Sequence, residues 1–183
     1  GVDLPDEKGG SIPSREWKAQ NFKADSTWRI GDTYNTAIGQ YGFQVTLISM
    51  ARATGAIASF GKFVTPHFVL GYREMEEKKE IVDIKKEYFD IVHNGMRQAV
   101  TYGTAAALNV PYVHVAAKTG TAQLGVGNTK VNSWVIGFFP YENPKYAFTI
   151  MMEAGPKTNN VSASTVMRQL LDWMSIYTSE YFE

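Results

Sequence analysis

The chain has 183 residues, of which 44% are hydrophobic and 13% aromatic, a length and composition that predict one globular domain with its own core. Lysine plus arginine and aspartate plus glutamate balance at 18 each, so the net charge gives no reason to expect nucleic acid or an anionic membrane surface as a partner. Cysteine is absent, which excludes disulfides, thiol catalysis and thiolate metal sites, and no apolar run approaches the roughly 20 residues of a membrane-spanning helix.

The first 34 residues combine many turn-forming residues with aromatic side chains spaced between them, namely Trp17, Phe22 and Trp28. We interpret this segment as irregular backbone that aromatic packing holds together, with a short helix that Ser14 caps. The chain begins without methionine, in a run that reads like the middle of a longer sequence. We therefore expect a larger parent protein.

Two helices with one apolar face are predicted between residues 45 and 108. The apolar face of the first consists of Leu47, Ile48, Ala51, Gly55 and Ala58, and that of the second of Phe89, Val92, Met96, Ala99, Val100 and Gly103. Between the helices we predict an extended segment over residues 62–70. The charged run that follows, over residues 73–86, is typical of a solvated excursion or hairpin.

Three antiparallel strands and a final helix are predicted in the rest of the chain. The strands are expected at residues 112–117, 132–139 and 146–153. Ser162 or a neighbour should cap the helix, whose apolar stripe consists of Val166, Leu170, Trp173, Tyr177 and Tyr181. This order predicts an α+β fold, in which an antiparallel sheet packs against helices.

The residues with the clearest chemistry, Lys118-Thr119-Gly120-Thr121, directly follow the first predicted strand. Lys118 supplies a positive charge for a carboxylate, and Thr119 and Thr121 supply hydroxyl groups. An open strand edge at this position could bind an extended peptide as one more strand. Lys-Thr-Gly also recurs by chance, so a strand that runs into a glycine turn is an equally good interpretation of these residues alone.

These residues include neither a nucleophile nor a base that would activate one. The one Ser-x-x-Lys match begins at Ser59, but the pattern places Ser59 at the end of a helix, where Lys62 cannot lie one turn away. Ser-x-Asn does not occur, and the three histidines lack metal-ligand spacing, so we expect no metal and no cofactor. The residues therefore predict a carboxylate-binding strand without its attacking group.

Several further motifs occur in a fixed order. They are Gly1-Val2-Asp3-Leu4-Pro5-Asp6-Glu7, Ile12-Pro13-Ser14, Gly31-Asp32, Ala37-Ile38-Gly39-Gln40, Val45-Thr46 and Ala117-Lys118-Thr119-Gly120-Thr121-Ala122. In this order they resemble the C-terminal half of the transpeptidase domain of class B penicillin-binding proteins, closest to the elongation-type enzymes. The resemblance implies that residues 1–183 are the C-terminal portion of a single, incomplete domain with the penicillin-binding and serine β-lactamase-like transpeptidase fold.

The resemblance also implies a mechanism for the parent. A serine attacks a D-alanyl-D-alanine stem peptide, and the acyl group passes to an amine of a neighbouring peptidoglycan strand, a reaction that β-lactams block. Lys118 would provide positive potential at the terminal carboxylate, and the hydroxyls of Thr119 and Thr121 would bind it. The backbone N–H of Thr121 would donate to the oxyanion, and Gly120 would permit close approach. The nucleophile would lie upstream, so we expect this chain alone to be inactive.

Two alternatives stay open, a β-lactamase or β-lactam sensor domain of the same fold, and a non-catalytic lobe whose strand edge binds a peptide. The expected partners are the stem peptide, β-lactams and the upstream part of the same protein, without nucleic acid and without membrane contact from this segment. The implied location is the bacterial cell envelope, on the extracytoplasmic face of the cytoplasmic membrane, with the anchor elsewhere.

Overall fold

The computed structural model describes residues 2–69, 80–125, 127 and 129–183. Two compact units can be distinguished, one formed by Asp6–Thr46 and the other by the rest of the described residues. Throughout the described ranges, no helix is long and apolar enough to cross a bilayer. The sequence motifs on which the family resemblance rests fall in both units.

The smaller unit contains helices α1 (Arg15–Asn21) and α2 (Ile30–Ala37). As predicted, Ser14 caps α1, since its side chain accepts a hydrogen bond from the N–H of Trp17 at 3.1 Å. Lys18 and Asp32 form a buried ion pair at 2.7 Å, and the hydrogen bond from Lys18 lowers the pKa of Asp32. The ring of Tyr41 contacts the three predicted aromatic side chains, Trp17, Phe22 and Trp28. An ion pair and an aromatic cluster thus hold this unit together.

The larger unit is an α+β arrangement, as the sequence predicted. Its helices are α3 (Leu47–Ala58), α4 (Lys86–Thr101) and α5 (Ala163–Tyr177), and its strands are β1 (Lys62–Phe63), β2 (Glu80–Ile81), β3 (Ala116–Leu124), β4 (Lys130–Phe139) and β5 (Tyr146–Pro156). Within the described residues, β1 pairs with β2, while β3, β4 and β5 form an antiparallel sheet in that order. Short 3₁₀ helices cover Ala106–Leu108 and Ser179–Phe182.

Helices cover both faces of the larger sheet where β3 begins. On one face, Ala117 belongs to a core cluster with Met167 and Leu171 of α5. On the other face, the neighbouring Ala116 packs in a cluster with Met96 of α4 and Phe138 of β4. Ala116 and Ala117 are both 0% exposed, so a shift of β3 by one residue would move each alanine to the wrong face. The register of β3 is therefore fixed directly before Lys118-Thr119-Gly120-Thr121.

The extent of the predicted strands and helices needs correction. The first strand covers Ala116–Leu124 rather than residues 112–117, and α4 ends at Thr101 rather than at residue 108. A side chain at Gly103 would approach the backbone of Ala99 to 2.7 Å, so the chain turns tightly against the last turn of α4. Of the predicted extended segment over 62–70, Lys62–Phe63 is a strand. The first half of the charged run over 73–86, residues 73–79, lies outside the described residues.

The predicted apolar stripes of α4 and α5 have the right period but are rotated. In α4, His93 is buried at 5% exposure, while Val92 is 44% exposed. In α5, which Ser162 caps as predicted, Leu171 is buried and Leu170 is 44% exposed. The side chains of α5 that pack inward are Ala163, Ser164, Met167 and Leu171. Apolar residues on both sides of the true stripe made its exact orientation ambiguous from the sequence.

Candidate active site

The four candidate residues Lys118, Thr119, Gly120 and Thr121 all lie in the middle of β3. They face Ile136, Val135, Trp134 and Ser133 of β4, respectively. In the described part of the chain, β3 has a paired strand on its β4 side and none on the other. The candidate residues therefore line an open strand edge, which is the arrangement that binding of an extended peptide requires.

The direction of the backbone groups along β3 follows from its contacts with β4. The carbonyl of Ala116 points at β4, since a methyl group at Gly137 would overlap with it. Backbone N–H and C=O groups alternate in direction along a strand. The N–H and C=O groups of even-numbered residues of β3 therefore point to β4, and those of odd-numbered residues point to the open edge. In agreement, Arg97 of α4 donates to the carbonyl of Val115 at 3.0 Å. The N–H of Thr121 therefore points to the open edge.

Polar groups surround this part of the edge. The Lys118 ammonium is exposed and donates to the carbonyl of Thr119 at 2.6 Å. The hydroxyl oxygens of Thr119 and Thr104 are 2.7 Å apart, and Thr104 lies just after α4. Sequence analysis did not identify Thr104, because its only signal is its place in the Gly103-Thr104-Ala105 turn. The edge thus presents one cation and several hydroxyl and amide donors to solvent.

Gly120 has no side chain, so no side chain projects from β3 at this position. A methyl group there would meet the Cβ atom of Trp134 at 3.4 Å, which is a van der Waals contact. The residue is exposed, which leaves its backbone accessible to a ligand. The side chain of Thr121 also borders a cavity of about 220 Å³ whose wall includes Gln123, Ser133 and Ser162.

Ser59 is poorly placed to be a nucleophile. It follows the last residue of α3, and its hydroxyl donates to the carbonyl of Gly55 at 2.7 Å and lies 2.9 Å from the carbonyl of Lys62. The group near its oxygen is therefore a backbone carbonyl of Lys62 rather than an ammonium base. That this Ser-x-x-Lys match is not catalytic stays a prediction.

Two of the histidines have structural partners. His93 Nε2 lies 2.8 Å from the carbonyl of Ile57, and His114 pairs with Glu142, an interaction that lowers the pKa of Glu142. Among the residues that the structure describes, no three histidine, aspartate or glutamate side chains come together in a way that could hold a metal ion.

Comparison with known proteins identifies the family. The family model for the penicillin binding protein transpeptidase domain matches residues 1–172 of this chain. The chain belongs to that family. It is 32% identical over 203 residues to peptidoglycan D,D-transpeptidase MrdA of Salmonella typhimurium, which covers 94% of this chain and 31% of that protein. The MrdA protein of Escherichia coli K12 is also 32% identical, over 205 residues that cover 94% of this chain and 30% of that protein.

Solved structures agree with the sequence comparison. The penicillin-binding protein PBP2 of Helicobacter pylori, in its complex with MreC, superimposes with a TM-score of 0.79 at 32% identity, over 97% of this chain and 33% of that one. PBP2 of Pseudomonas aeruginosa gives a TM-score of 0.77 at 30% identity, over 97% and 41% of the two chains. The chain is thus a class B, elongation-type penicillin-binding protein sequence, and it spans about a third of the length of its relatives.

In this penicillin-binding protein, a network behind the site joins the segment that enters β3 to helix α5. The Tyr112 hydroxyl donates to Asp172 at 2.6 Å, and the Arg168 guanidinium donates to both oxygens of Asp172 at 2.8 and 2.9 Å. Arg168 lies one helical turn before Asp172, whereas Tyr112 is 60 residues away in the sequence. Burial, together with the hydrogen bond to Asp172, raises the pKa of Tyr112 to about 12.

The Tyr112 network should make the protein sensitive to alkali. The tyrosine ionises near pH 10 in the unfolded chain but near 12 in the folded one, so its contribution to stability is complete below pH 10 and is lost as the pH rises through about 12. We expect the free energy of unfolding, measured with urea at pH 8 and pH 11, to fall less in Tyr112→Phe than in the wild type. Tyr102→Phe, at a 75% exposed tyrosine, is the control and should behave like the wild type. Equal losses in all three proteins would contradict this assignment.

Proposed function

We propose that this chain supplies half of the active site of a peptidoglycan D,D-transpeptidase, namely the strand that binds the terminal carboxylate of a D-alanyl-D-alanine stem peptide or of a β-lactam. The observation that carries the proposal is the open edge of β3, where the N–H of Thr121 points outward beside the Lys118 ammonium and the hydroxyls of Thr119 and Thr121. The name of the MrdA relatives, peptidoglycan D,D-transpeptidase, supports this function over that of a β-lactamase or a sensor.

In the proposed reaction, a serine oxygen bonds to the carbonyl carbon of the penultimate D-alanine. The Thr121 N–H donates to the oxyanion that forms, which is an interaction worth about 3 kcal/mol of barrier in other acyl transferases. The C–N bond then breaks, and the terminal D-alanine leaves with a proton on its nitrogen. An amine of a neighbouring stem peptide attacks the acyl-enzyme, restores the serine hydroxyl and completes the cross-link.

The role of Lys118 fits its position on β3. An ammonium group has three N–H donors, so Lys118 can keep its hydrogen bond to the carbonyl of Thr119 and still donate to a ligand carboxylate. The positive charge and the two threonine hydroxyls together recognise the anionic end of the substrate, and the same groups would bind the carboxylate of a β-lactam.

We place the nucleophile outside residues 1–183, because the hydroxyl of Ser59 lies among backbone carbonyls rather than beside a base. Further proposals accompany this one, the first two from the position of Ser59 and the last from the family to which the chain belongs. The rest of the same protein is a necessary partner of this chain, residues 1–183 alone are inactive, and the site works at the extracytoplasmic face of the bacterial cytoplasmic membrane, with the membrane anchor outside this chain.

Mass spectrometry after treatment with a fluorescent penicillin tests the proposal. We expect the longer protein, meaning the parent protein of which residues 1–183 form a part, to carry one adduct on a serine outside residues 1–183. The isolated chain should carry none. An adduct on Ser59, or none on the longer protein, would contradict the proposal. Rapid hydrolysis of a chromogenic cephalosporin by the longer protein would favour a β-lactamase instead.

A further inference from the structure

The hydrogen bond between Thr104 and Thr119 joins a loop to the binding edge. Their hydroxyl oxygens are 2.7 Å apart, and the two residues are 15 positions apart in sequence. Thr119 lies on β3, whereas Thr104 belongs to the turn after α4. The contact therefore forms only where the turn after α4 packs against β3.

The turn that carries Thr104 is held firmly on both sides of the residue. A side chain at Gly103 would lie 2.7 Å from the Cα atom of Ala99, so this position packs directly on the helix. Ala105 is 0% exposed, and its N–H donates to the carbonyl of Ala99 at 2.9 Å. Because β3 is equally fixed by the buried Ala117, the distance between the two hydroxyls is set by the fold.

The chemistry of a hydroxyl gives this contact a direction. A hydroxyl has one proton to donate and two lone pairs that accept, whereas an ionised carboxylate only accepts. If Thr119 donates to Thr104, it presents only lone pairs to a carboxylate. If Thr104 donates to Thr119, the Thr119 proton is free for the carboxylate, and the two hydrogen bonds strengthen each other.

We propose that Thr104 is a positioning residue that donates to Thr119 and thereby directs the Thr119 proton to the ligand carboxylate. The inference rests on the proposed function, since it assigns a role within carboxylate recognition. It predicts an effect that depends on the charge of the ligand. A purely structural link between the turn and β3 would affect all ligands alike.

The test compares acylation of the longer protein by a penicillin and by its methyl ester, which lacks the carboxylate. Thr104→Val removes the hydroxyl with little change of shape. We expect it to lower the second-order rate constant for the free acid about tenfold and that for the ester clearly less, because a hydrogen bond to a charged acceptor is the stronger one. Thr104→Ser, which keeps a hydroxyl, should stay near the wild type with both compounds.

Two further variants separate the contact from general effects. Thr101→Val removes a hydroxyl that lies 3.3 Å from the carbonyls of Arg97 and Gln98 in its own helix, and it should leave both rates unchanged. Combining Thr104→Val with Thr119→Val should slow acylation by the acid no more than Thr119→Val alone. Equal slowing with acid and ester, additive effects in the double variant, or no effect of Thr104→Val would overturn the inference alone. A wild-type protein that no β-lactam acylates would overturn the proposed function and this inference with it.

Discussion

Replacing Lys118 by alanine is expected to lower the second-order rate constant of acylation by penicillin about a hundredfold or more in the longer protein. Removing one partner of a charged, hydrogen-bonded pair typically costs about 2–5 kcal/mol, and each 1.36 kcal/mol corresponds to a factor of about ten in rate. The ammonium lies at the open edge, beside the carbonyl of Thr119, where the proposed ligand carboxylate binds. Stopped-flow measurement with a fluorescent penicillin gives the rate constant directly.

Lys130 provides a matched control for Lys118. It is also an exposed lysine on the same sheet, but it lies at the start of β4, opposite Leu124. Lys130→Ala should acylate within about twofold of the wild type, and since both lysines are exposed, both variants should keep the wild-type melting temperature. A Lys118→Ala protein that acylates as fast as the Lys130→Ala protein would remove Lys118 from the site.

Replacing Thr121 by proline is expected to slow acylation by about 10² to 10³ beyond the effect of losing the Thr121 hydroxyl, which is the effect of deleting one oxyanion donor in other enzymes of acyl transfer. Proline removes the N–H of Thr121, which points to the open edge, and an edge strand tolerates such a change because no hydrogen bond to its neighbour is lost. Thr121→Val keeps the N–H and removes only the hydroxyl, so it should lose about tenfold. The difference between the two variants measures the backbone donor.

Gln123→Pro is the control for the backbone change. Gln123 is two residues further along β3, so its N–H also points to the open edge, but it lies beyond the Lys-Thr-Gly-Thr residues. We expect its acylation rate to match that of the wild type. If Gln123→Pro and Thr121→Pro lose equal activity, the effect of proline would be distortion of the strand rather than loss of an oxyanion donor.

Features that depend on neighbouring residues in the sequence were predicted well. The candidate residues Lys118, Thr119, Gly120 and Thr121 are contiguous in the sequence, so they lie together on β3. The helix caps Ser14 and Ser162 were found because a cap acts on an N–H three residues away. The two strands after β3 were found because their apolar runs end at clear turn residues.

Features that depend on distant contacts were missed or misplaced. The sequence predicted a loop from residue 123, although β3 continues to Leu124, because glycine and polar residues in an edge strand look like a loop. Thr104 was missed because it meets Thr119 only after α4 and β3 have packed. Likewise, the outward direction of the Thr121 N–H depends on the register with β4, which the sequence of β3 does not contain.

A crystal structure of the penicillin acyl-enzyme of the longer protein tests the central claim most directly. We predict that the acyl carbonyl oxygen lies about 3 Å from the backbone nitrogen of Thr121, and that the ligand carboxylate contacts the hydroxyls of Thr119 and Thr121 beside Lys118. A carboxylate bound away from β3, or an acyl oxygen out of reach of the Thr121 N–H, would contradict the assignment of this strand as the substrate-binding half of the active site.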